Sequence, residues 1–361
     1  MQVAAFLATS FLVSLVLTRV LASPRAFIKI IDMPNPRSLH ARATPRTGGV
    51  AILTALLFTT ASLLLAARSG AIGGLAREAA LDIRHRDLLV TLVALTVLAG
   101  VSLWDDRHHV SPIPRLITHA LAAAAVMWAG DLTITGFSLP FFGVVTLGHS
   151  SYAFTFLFIV WMTNLYNFMD GADGLAGGMT LLGFSFLGAG AWMSGDEALA
   201  IDCAIVAAAG GAFLLFNFPP ARLFMGDAGS IPLGFLAAAF ALAGWRDGDW
   251  PSWFPAVVFA PFITDATLTL VKRLASRERI WEAHNHHYYQ RLVRMGWGHR
   301  KTALAEYALM LGCGTTALWA LREPLYLQLC ALLALVALHA LLALRVDSAW
   351  RHRPNKPIES A

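Results

Sequence analysis

SYAFTFLFIVWMTNLYNFMDGADGLAGGMTLLGFSFLGAGAWMS, residues 151–194, decides the fold. Two apolar runs, 151–168 and 174–194, flank a short polar hinge. A helix crosses a membrane with roughly 17–25 apolar residues, and both runs meet that length. Working outward, nine further apolar segments lie at 1–22, 47–67, 88–104, 116–130, 198–218, 228–245, 252–271, 302–321 and 325–344. Segment 116–130 is the shortest and contains His119. No β-barrel alternation is present, so helices are the spanning element. The expected fold is all-α: a polytopic integral membrane protein of about 11 transmembrane helices, one membrane-embedded domain over 1–361.

Composition agrees. Hydrophobic residues make up 57% of the 361-residue chain and charged residues 14%, where soluble proteins carry about 25% charged. Mean hydropathy is +0.62. A disordered, collagen-like or ordinary cytosolic chain is excluded. The formal charge of +5 is spread between the apolar runs, which is not a nucleic-acid stripe, and no nucleic-acid partner is expected. Cys203, Cys313 and Cys330 all sit in apolar runs without a CxxC; they read as small buried hydrophobes. The first segment lacks a positive n-region and is read as a retained helix, with Leu21-Ala22-Ser23 as a mimic of a cleavage site.

Lysine and arginine set the orientation. Alternating sides from the loop after the first segment, one side holds 20 of the 27 Lys and Arg and the other holds 6, with Arg19 inside a span. The rich side reads as cytoplasmic, so the N-terminus is placed in the periplasm and the C-terminus in the cytoplasm. Its most basic loop is 272–301. Four of the six charges on the poor side fall in the loop after the second segment.

The polar clusters choose that same rich side. Asp105 and Asp106 end a span. Adjacent carboxylates repel unless a cation or proton intervenes, and acids at a helix C-terminus oppose its dipole. They read as a metal or acid–base pair, or else as a polar helix end. Asn164, Asn167, Asp170 and Asp173 recur every three residues, which on a helix gives one polar face; an Asx-rich turn is the alternative. Asp227, in FMGDAGS, sits at the start of a span, where it serves as an N-cap or holds Mg²⁺ beside a phosphate. His284, His286 and His287 lie in the basic loop; their spacing matches no firm zinc pattern and suits an anionic substrate better. Asp265 lies six residues inside a span, about 9 Å deep, facing the same cleft or pairing with a base. Thr44-Pro45-Arg46-Thr47-Gly48-Gly49 is a turn before a helix with substrate-binding potential. Carboxylates, asparagines and histidines at one membrane surface suit Mg²⁺-dependent phosphoryl transfer between a water-soluble donor and a lipid acceptor.

NLYNFMDGADG (164–174), FMGDAGS (224–230), Asp105-Asp106 and the H-x-H-H loop together resemble the polyprenyl-phosphate N-acetylhexosamine-1-phosphate transferases. Pro34 to His40 and Thr44 to Gly49 resemble that superfamily's first cytoplasmic loop, and Tyr288-Tyr289-Gln290-Arg291-Leu292 points to its O-antigen-initiating branch. The resemblance covers about residues 30–300. It implies transfer of a sugar-1-phosphate from a UDP-N-acetylhexosamine to undecaprenyl phosphate, with UMP released, at the cytoplasmic face of a bacterial inner membrane. It implies Mg²⁺, with Mn²⁺ as an alternative, on Asp227 and Asp106. Asp105 and Asp106 would orient or deprotonate the lipid phosphate. Asp170, Asp173 and Asn217 would line the nucleotide side, with Asn167 among the substrate-binding residues. His286 and His287 would assist at the phosphates, with His284, Thr44 and Arg46 near the substrates. Ile113 and Pro114 stand where a lysine often occurs in that superfamily, and Arg115 would substitute as the cation for the acceptor phosphate. Small-residue-rich spans suit packing within the chain or a homodimer. A transporter of an anionic substrate is the competing class, but it calls for midplane charges and repeated halves.

Overall fold

The computed structural model describes residues 2–35, 38–81, 85–108, 111–139, 143–279 and 284–352. Pro36 and Arg37 of the first-loop motif, Arg84, Arg353, Lys356 and positions 280–283 of the basic loop lie outside the described residues. The elements run α1 (Gln2–Leu21), β1 (Ile31–Asp32), β2 (Thr44–Pro45), α2 (Gly48–Arg68), α3 (Gly74–Leu81), α4 (His85–His108), α5 (Pro112–Trp128), β3 (Gly136–Leu139), β4 (Gly143–Thr146), α6 (Ser150–Phe168), α7 (Leu175–Ser194), α8 (Glu197–Asn217), α9 (Asp227–Arg246), α10 (Trp253–Val258), α11 (Ala260–Ala275), α12 (Tyr288–Leu292), α13 (Gly298–Ala320) and α14 (Leu325–Arg351). Among the described residues, seven helices are long and apolar enough to cross a membrane, and Ile113–Trp128 is a shorter apolar one. The strands form two small antiparallel pairs, so the all-α, multi-pass expectation holds.

Helix α9 is the centre of the bundle, with 89% of its apolar window buried. Its sequence, DAGSIPLGFLAAAFALAGWR, is rich in Ala and Gly, and such small residues let neighbouring backbones close in. A Cβ on Gly234 would lie 2.5 Å from the Met162 carbonyl of α6. Helix α1 docks on α8 through hydroxyls: Ser10 Oγ donates to the Ile205 carbonyl and Ser14 Oγ to that of Ala209, each at 2.8 Å. Donors of this kind hold helices together where lipid supplies no hydrophobic drive.

Two segments differ from their expected form. Segment 252–271 breaks at Phe259 into α10 and α11. Pro261 has no N–H for the Val257 carbonyl and its ring crowds that turn, so one continuous helix is not available. The polar face expected from Asn164 to Asp173 also stops short. Helix α6 ends at Phe168, and Met169 to Gly174 turn through a left-handed Gly174 (φ 78°). Asp170 and Asp173 are therefore loop residues, and Asn164 turns back to donate to the Val160 carbonyl of its own helix at 2.7 Å.

At the end of the bundle away from these loops, Arg246 gathers Asp87, Asp247 and the Gly130 carbonyl. These carboxylates neutralise its charge within the bundle.

Candidate active site

Four loops meet at one end of the bundle around a cleft of about 240 Å³. Its walls include Asp32, His40 and Arg46 from the first loop, Asp170 and Asp173 from the hinge, Asn217 from the end of α8, Phe224 to Asp227, and Gln290 and His299.

Backbone pairing between two loops distant in sequence builds the floor. The Phe224 N–H donates to the Pro45 carbonyl at 2.8 Å, the Gly48 N–H to Phe224 at 2.9 Å and the Gly49 N–H to Met225 at 2.8 Å. The approach is close enough that a Cβ on Gly226 (φ 73°) would lie 2.4 Å from the Arg46 carbonyl, which leaves glycine as the fitting residue. The Thr44–Gly49 stretch is thus a scaffold rather than a bland turn. Thr44 itself is buried in β2, its hydroxyl on the Arg42 carbonyl, and it supports the cleft without lining it.

The carboxylates are held apart by specific cations and amides. Arg115 bridges two of them: Nη1 lies 2.9 Å from Asp105 Oδ2 and Nη2 lies 2.9 Å from Asp227 Oδ2. Asn167 Nδ2 donates to Asp227 Oδ1 and to Ser230 Oγ, both at 2.9 Å. Asp106 faces away from its neighbour. Its Oδ1 is 3.4 Å from Arg46 Nε, its Oδ2 accepts from the Ala228 N–H at 3.4 Å, and its main-chain carbonyl accepts from Arg46 Nη2 at 2.6 Å. Placing Asp227 and the Ala228 N–H on the first turn of α9 brings the positive end of that helix to the carboxylates. Consecutive positions on α4 therefore serve different partners, one reaching Arg115 and the other Arg46.

On the hinge side, Asp173 Oδ2 accepts from the Ala221 N–H at 2.9 Å, and His299 Nδ1 lies 3.3 Å from its Oδ1. His299 Nε2 is 3.0 Å from the Leu39 carbonyl, so this imidazole ties the first loop to the hinge. Asn217 staples two loops, accepting from the Gly174 N–H at 2.9 Å and donating to the Leu223 carbonyl at 3.0 Å. Asp170 has its pKa raised well above the usual carboxylate range, first by desolvation and then by the facing charges of Asp227 and Asp106. A carboxyl raised in the folded state favours protonation there, so its ionisation lowers stability as pH rises above its unfolded value. Asp170→Asn should therefore flatten that pH dependence and raise the melting temperature at pH 8 by about 2 °C, measured without divalent cations, while activity is lost. An unchanged or lower melting temperature would contradict the repulsion.

His284, His286 and His287 are not among the residues that line the cleft. His287 Nδ1 is 3.0 Å from Asp265 Oδ1, and the same carboxylate accepts the Tyr288 and Tyr289 N–H groups at 2.9 Å each. Asp265 thus takes the second of its two expected roles, pairing with a base, and it anchors α12. Burial and the neighbouring His287 lower the His284 pKa to about 4, and burial lowers that of His286. Both rings are uncharged at neutral pH and offer hydrogen bonds rather than charge.

Sequence reasoning did not single out Asp32, His40, Gln290 or His299 as lining residues. His40 packs edge-to-face on Phe224, with ring centres 4.9 Å apart, and lies 3.6 Å from Asp32. Asp32 and His40 belong to the same loop as the Thr44–Gly49 motif, and that proximity was the available signal.

The profile of glycosyl transferase family 4 matches residues 88–245. The chain is 30% identical over 309 residues to a probable undecaprenyl-phosphate N-acetylglucosaminyl 1-phosphate transferase of Bacillus subtilis, covering 83% of this chain and 81% of that one. It is 29% identical over 305 residues to a decaprenyl-phosphate N-acetylglucosaminephosphotransferase of Mycobacterium tuberculosis, covering 77% and 72%. It is also 29% identical over 214 residues to an undecaprenyl-phosphate alpha-N-acetylglucosaminyl 1-phosphate transferase of Escherichia coli K12, covering 58% and 53%.

Proposed function

Because the chain belongs to the polyprenyl-phosphate N-acetylhexosamine-1-phosphate transferases, we propose that its cleft transfers N-acetylhexosamine-1-phosphate from a UDP-sugar to undecaprenyl phosphate and releases UMP. The observation that carries this reading is the convergence of Asp105, Asp106, Asp170 and Asp227 with Arg46 and Arg115 at one end of the bundle. The relatives' printed names favour N-acetylglucosamine as the sugar. Initiation of O-antigen or another cell-envelope glycan is the pathway role that fits the product. The charge asymmetry of the loops supports a cytoplasmic site in the inner membrane.

The donor set suits Mg²⁺. Among the described residues no three His, Cys, Asp or Glu groups form a ready-made metal cage. Mg²⁺ does not need one, since it takes one or two carboxylates and completes its shell with substrate phosphate and water. Asp227 and Asp106 would hold the ion, and the repulsion that raises Asp170 is what a cation there relieves. Bound, Mg²⁺ supplies charge neutralisation at the donor diphosphate.

This chain's own residues do the rest. Arg115 and Arg46 offer guanidinium donors to the acceptor phosphate, each already aligned by a carboxylate. Asp105 and Asp106 orient that phosphate and accept its proton as it becomes the nucleophile. Direct attack on the donor β-phosphorus is favoured over a phospho-enzyme. Asp173, Asn217 and the hinge backbone form the nucleotide side, and Asn167 fixes the Asp227 carboxylate so that no reorganisation is needed during transfer.

The test is turnover of a panel of UDP-N-acetylhexosamines by purified protein with undecaprenyl phosphate and Mg²⁺, following UMP and lipid product. UMP formation that requires both lipid and metal is expected. Labelled phosphate trapped on the protein without lipid would contradict direct attack. UMP and free sugar phosphate released without lipid would indicate a hydrolase instead.

A further inference from the structure

Helix α14 packs loosely, with His339 as its single buried residue among those described. It nonetheless reaches the elements behind the cleft through Asp347, and through Trp350, whose ring centre lies 5.9 Å from the Arg291 guanidinium carbon. Asp347 Oδ2 accepts from Lys272 Nζ near the end of α11, and its Oδ1 lies 2.9 Å from Arg291 Nη1 of α12. The Tyr288 hydroxyl donates to the same Oδ2 at 3.4 Å. Both cations also lie beside the Tyr288 ring, at 4.9 and 5.2 Å from its centre. Among the described residues no other carboxylate pairs with Lys272 or Arg291, so removing Asp347 leaves two cations facing each other around one ring.

What that pairing holds is α12, and α12 touches the hinge. Gln290 lines the cleft. The Tyr289 hydroxyl donates to the Phe168 carbonyl at 3.0 Å. It also sits where a Cβ on Gly171 would be, at 2.2 Å. The path from α14 to the donor side of the cleft is therefore a continuous set of contacts: Asp347, then α12, then residues 168–171.

We infer that Asp347 is a positioning residue that clamps α12 against the hinge and so sets the donor side of the cleft. This rests on the transferase reading above. The acceptor side is built on α4, α5 and the first loop, elements other than α12 and α14, and should not respond to the clamp.

The experiment uses the full-length protein in three forms: unaltered, Asp347→Asn and Asp347→Glu. In Asp347→Asn the KM for UDP-sugar should rise about tenfold while the KM for undecaprenyl phosphate stays within about twofold. Asp347→Glu, which restores the charge, should recover most of the loss. Simple destabilisation lowers the active fraction and moves kcat alone, so it does not mimic this split. Hydrogen exchange supplies a readout independent of turnover. Amides of Tyr288 and Tyr289, which donate to Asp265, should exchange about tenfold faster in Asp347→Asn while those of α7 and α8 keep their protection. If the unaltered protein turns over no UDP-sugar, the transferase reading fails and the exchange arm still decides the clamp. Unchanged exchange at Tyr288 and Tyr289, or equal effects on both KM values, would overturn the inference.

Discussion

Asp227→Asn is expected to lower kcat by roughly 10³-fold, about 4 kcal/mol of transition-state stabilisation, with the protein still folded and monodisperse. Asp227 is the residue on which the site's partners meet. One oxygen receives Asn167 and the other receives Arg115, which in turn holds Asp105. The substitution preserves shape but removes the charge, and its amide presents Arg115 with a weaker acceptor or with a second donor. Under the proposed function it would also remove a carboxylate from the Mg²⁺ site. Turnover should not be restored by raising donor concentration, because the lost interaction is made during transfer rather than in the ground state. A variant that keeps more than a tenth of wild-type kcat would remove Asp227 from the centre of the chemistry.

The second large effect comes from a residue that bears no functional group. Gly49 and Gly229 touch: a Cβ on Gly49 would lie 2.2 Å from the Gly229 Cα, and one on Gly229 would lie 2.5 Å from the Gly49 Cα. The obstructing atoms are main chain, so no side chain can swing aside. Gly49→Ala or Gly229→Ala must separate the start of α2 from the start of α9, and overpacking of this kind costs roughly 1–3 kcal/mol or more. The Gly48 and Gly49 hydrogen bonds to Phe224 and Met225 would stretch with it. We expect both variants to lose most of their activity and to melt at lower temperature. Gly100→Ala, with nothing within 4 Å of its added Cβ, is the control and should melt no lower than the parent. Equal melting temperatures for Gly49→Ala and Gly100→Ala would contradict the close contact.

Much of the architecture was legible because lipid constrains it. Apolar runs of sufficient length have few alternatives to helices, and so most segment positions carried over directly. The break at Phe259 was less legible, since the hydropathy of 252–271 is uninterrupted and only Pro261 announced it. The Asn164–Asp173 stripe misled in part: a period of three also describes a helix end followed by a glycine turn, and Gly171 and Gly174 were the signs of the turn. Asp105, Asp106 and Asp227 stood out because charge at a span end is costly unless used, and Arg115 came only through the family resemblance. His299 and Gln290 could not be read the same way. In the sequence they fall in the basic 272–301 stretch, where polar residues carry no such cost, and only the tertiary fold, with Gln290 buried on α12 and His299 in the first turn of α13, brings them to the cleft. The histidine cluster shows the converse: a conspicuous motif whose His287 anchors α12 through Asp265 rather than facing the cleft.

The central place of α9 has a consequence for how the protein is made. Chains emerge N-terminus first, so Asp105, Asp106, Arg115 and Asp170 are all synthesised before Asp227. Until α9 enters between its neighbours, Arg115 lacks its second carboxylate, Asp106 lacks the Ala228 amide, and Gly49 has nothing to close on. The cleft is therefore incomplete in any chain that ends before α9, and it still lacks Gln290 and His299 until α12 and α13 follow. Ribosomes stalled before residue 227 leave products that carry most of the charged groups of the candidate site without the contacts that α9 gives them.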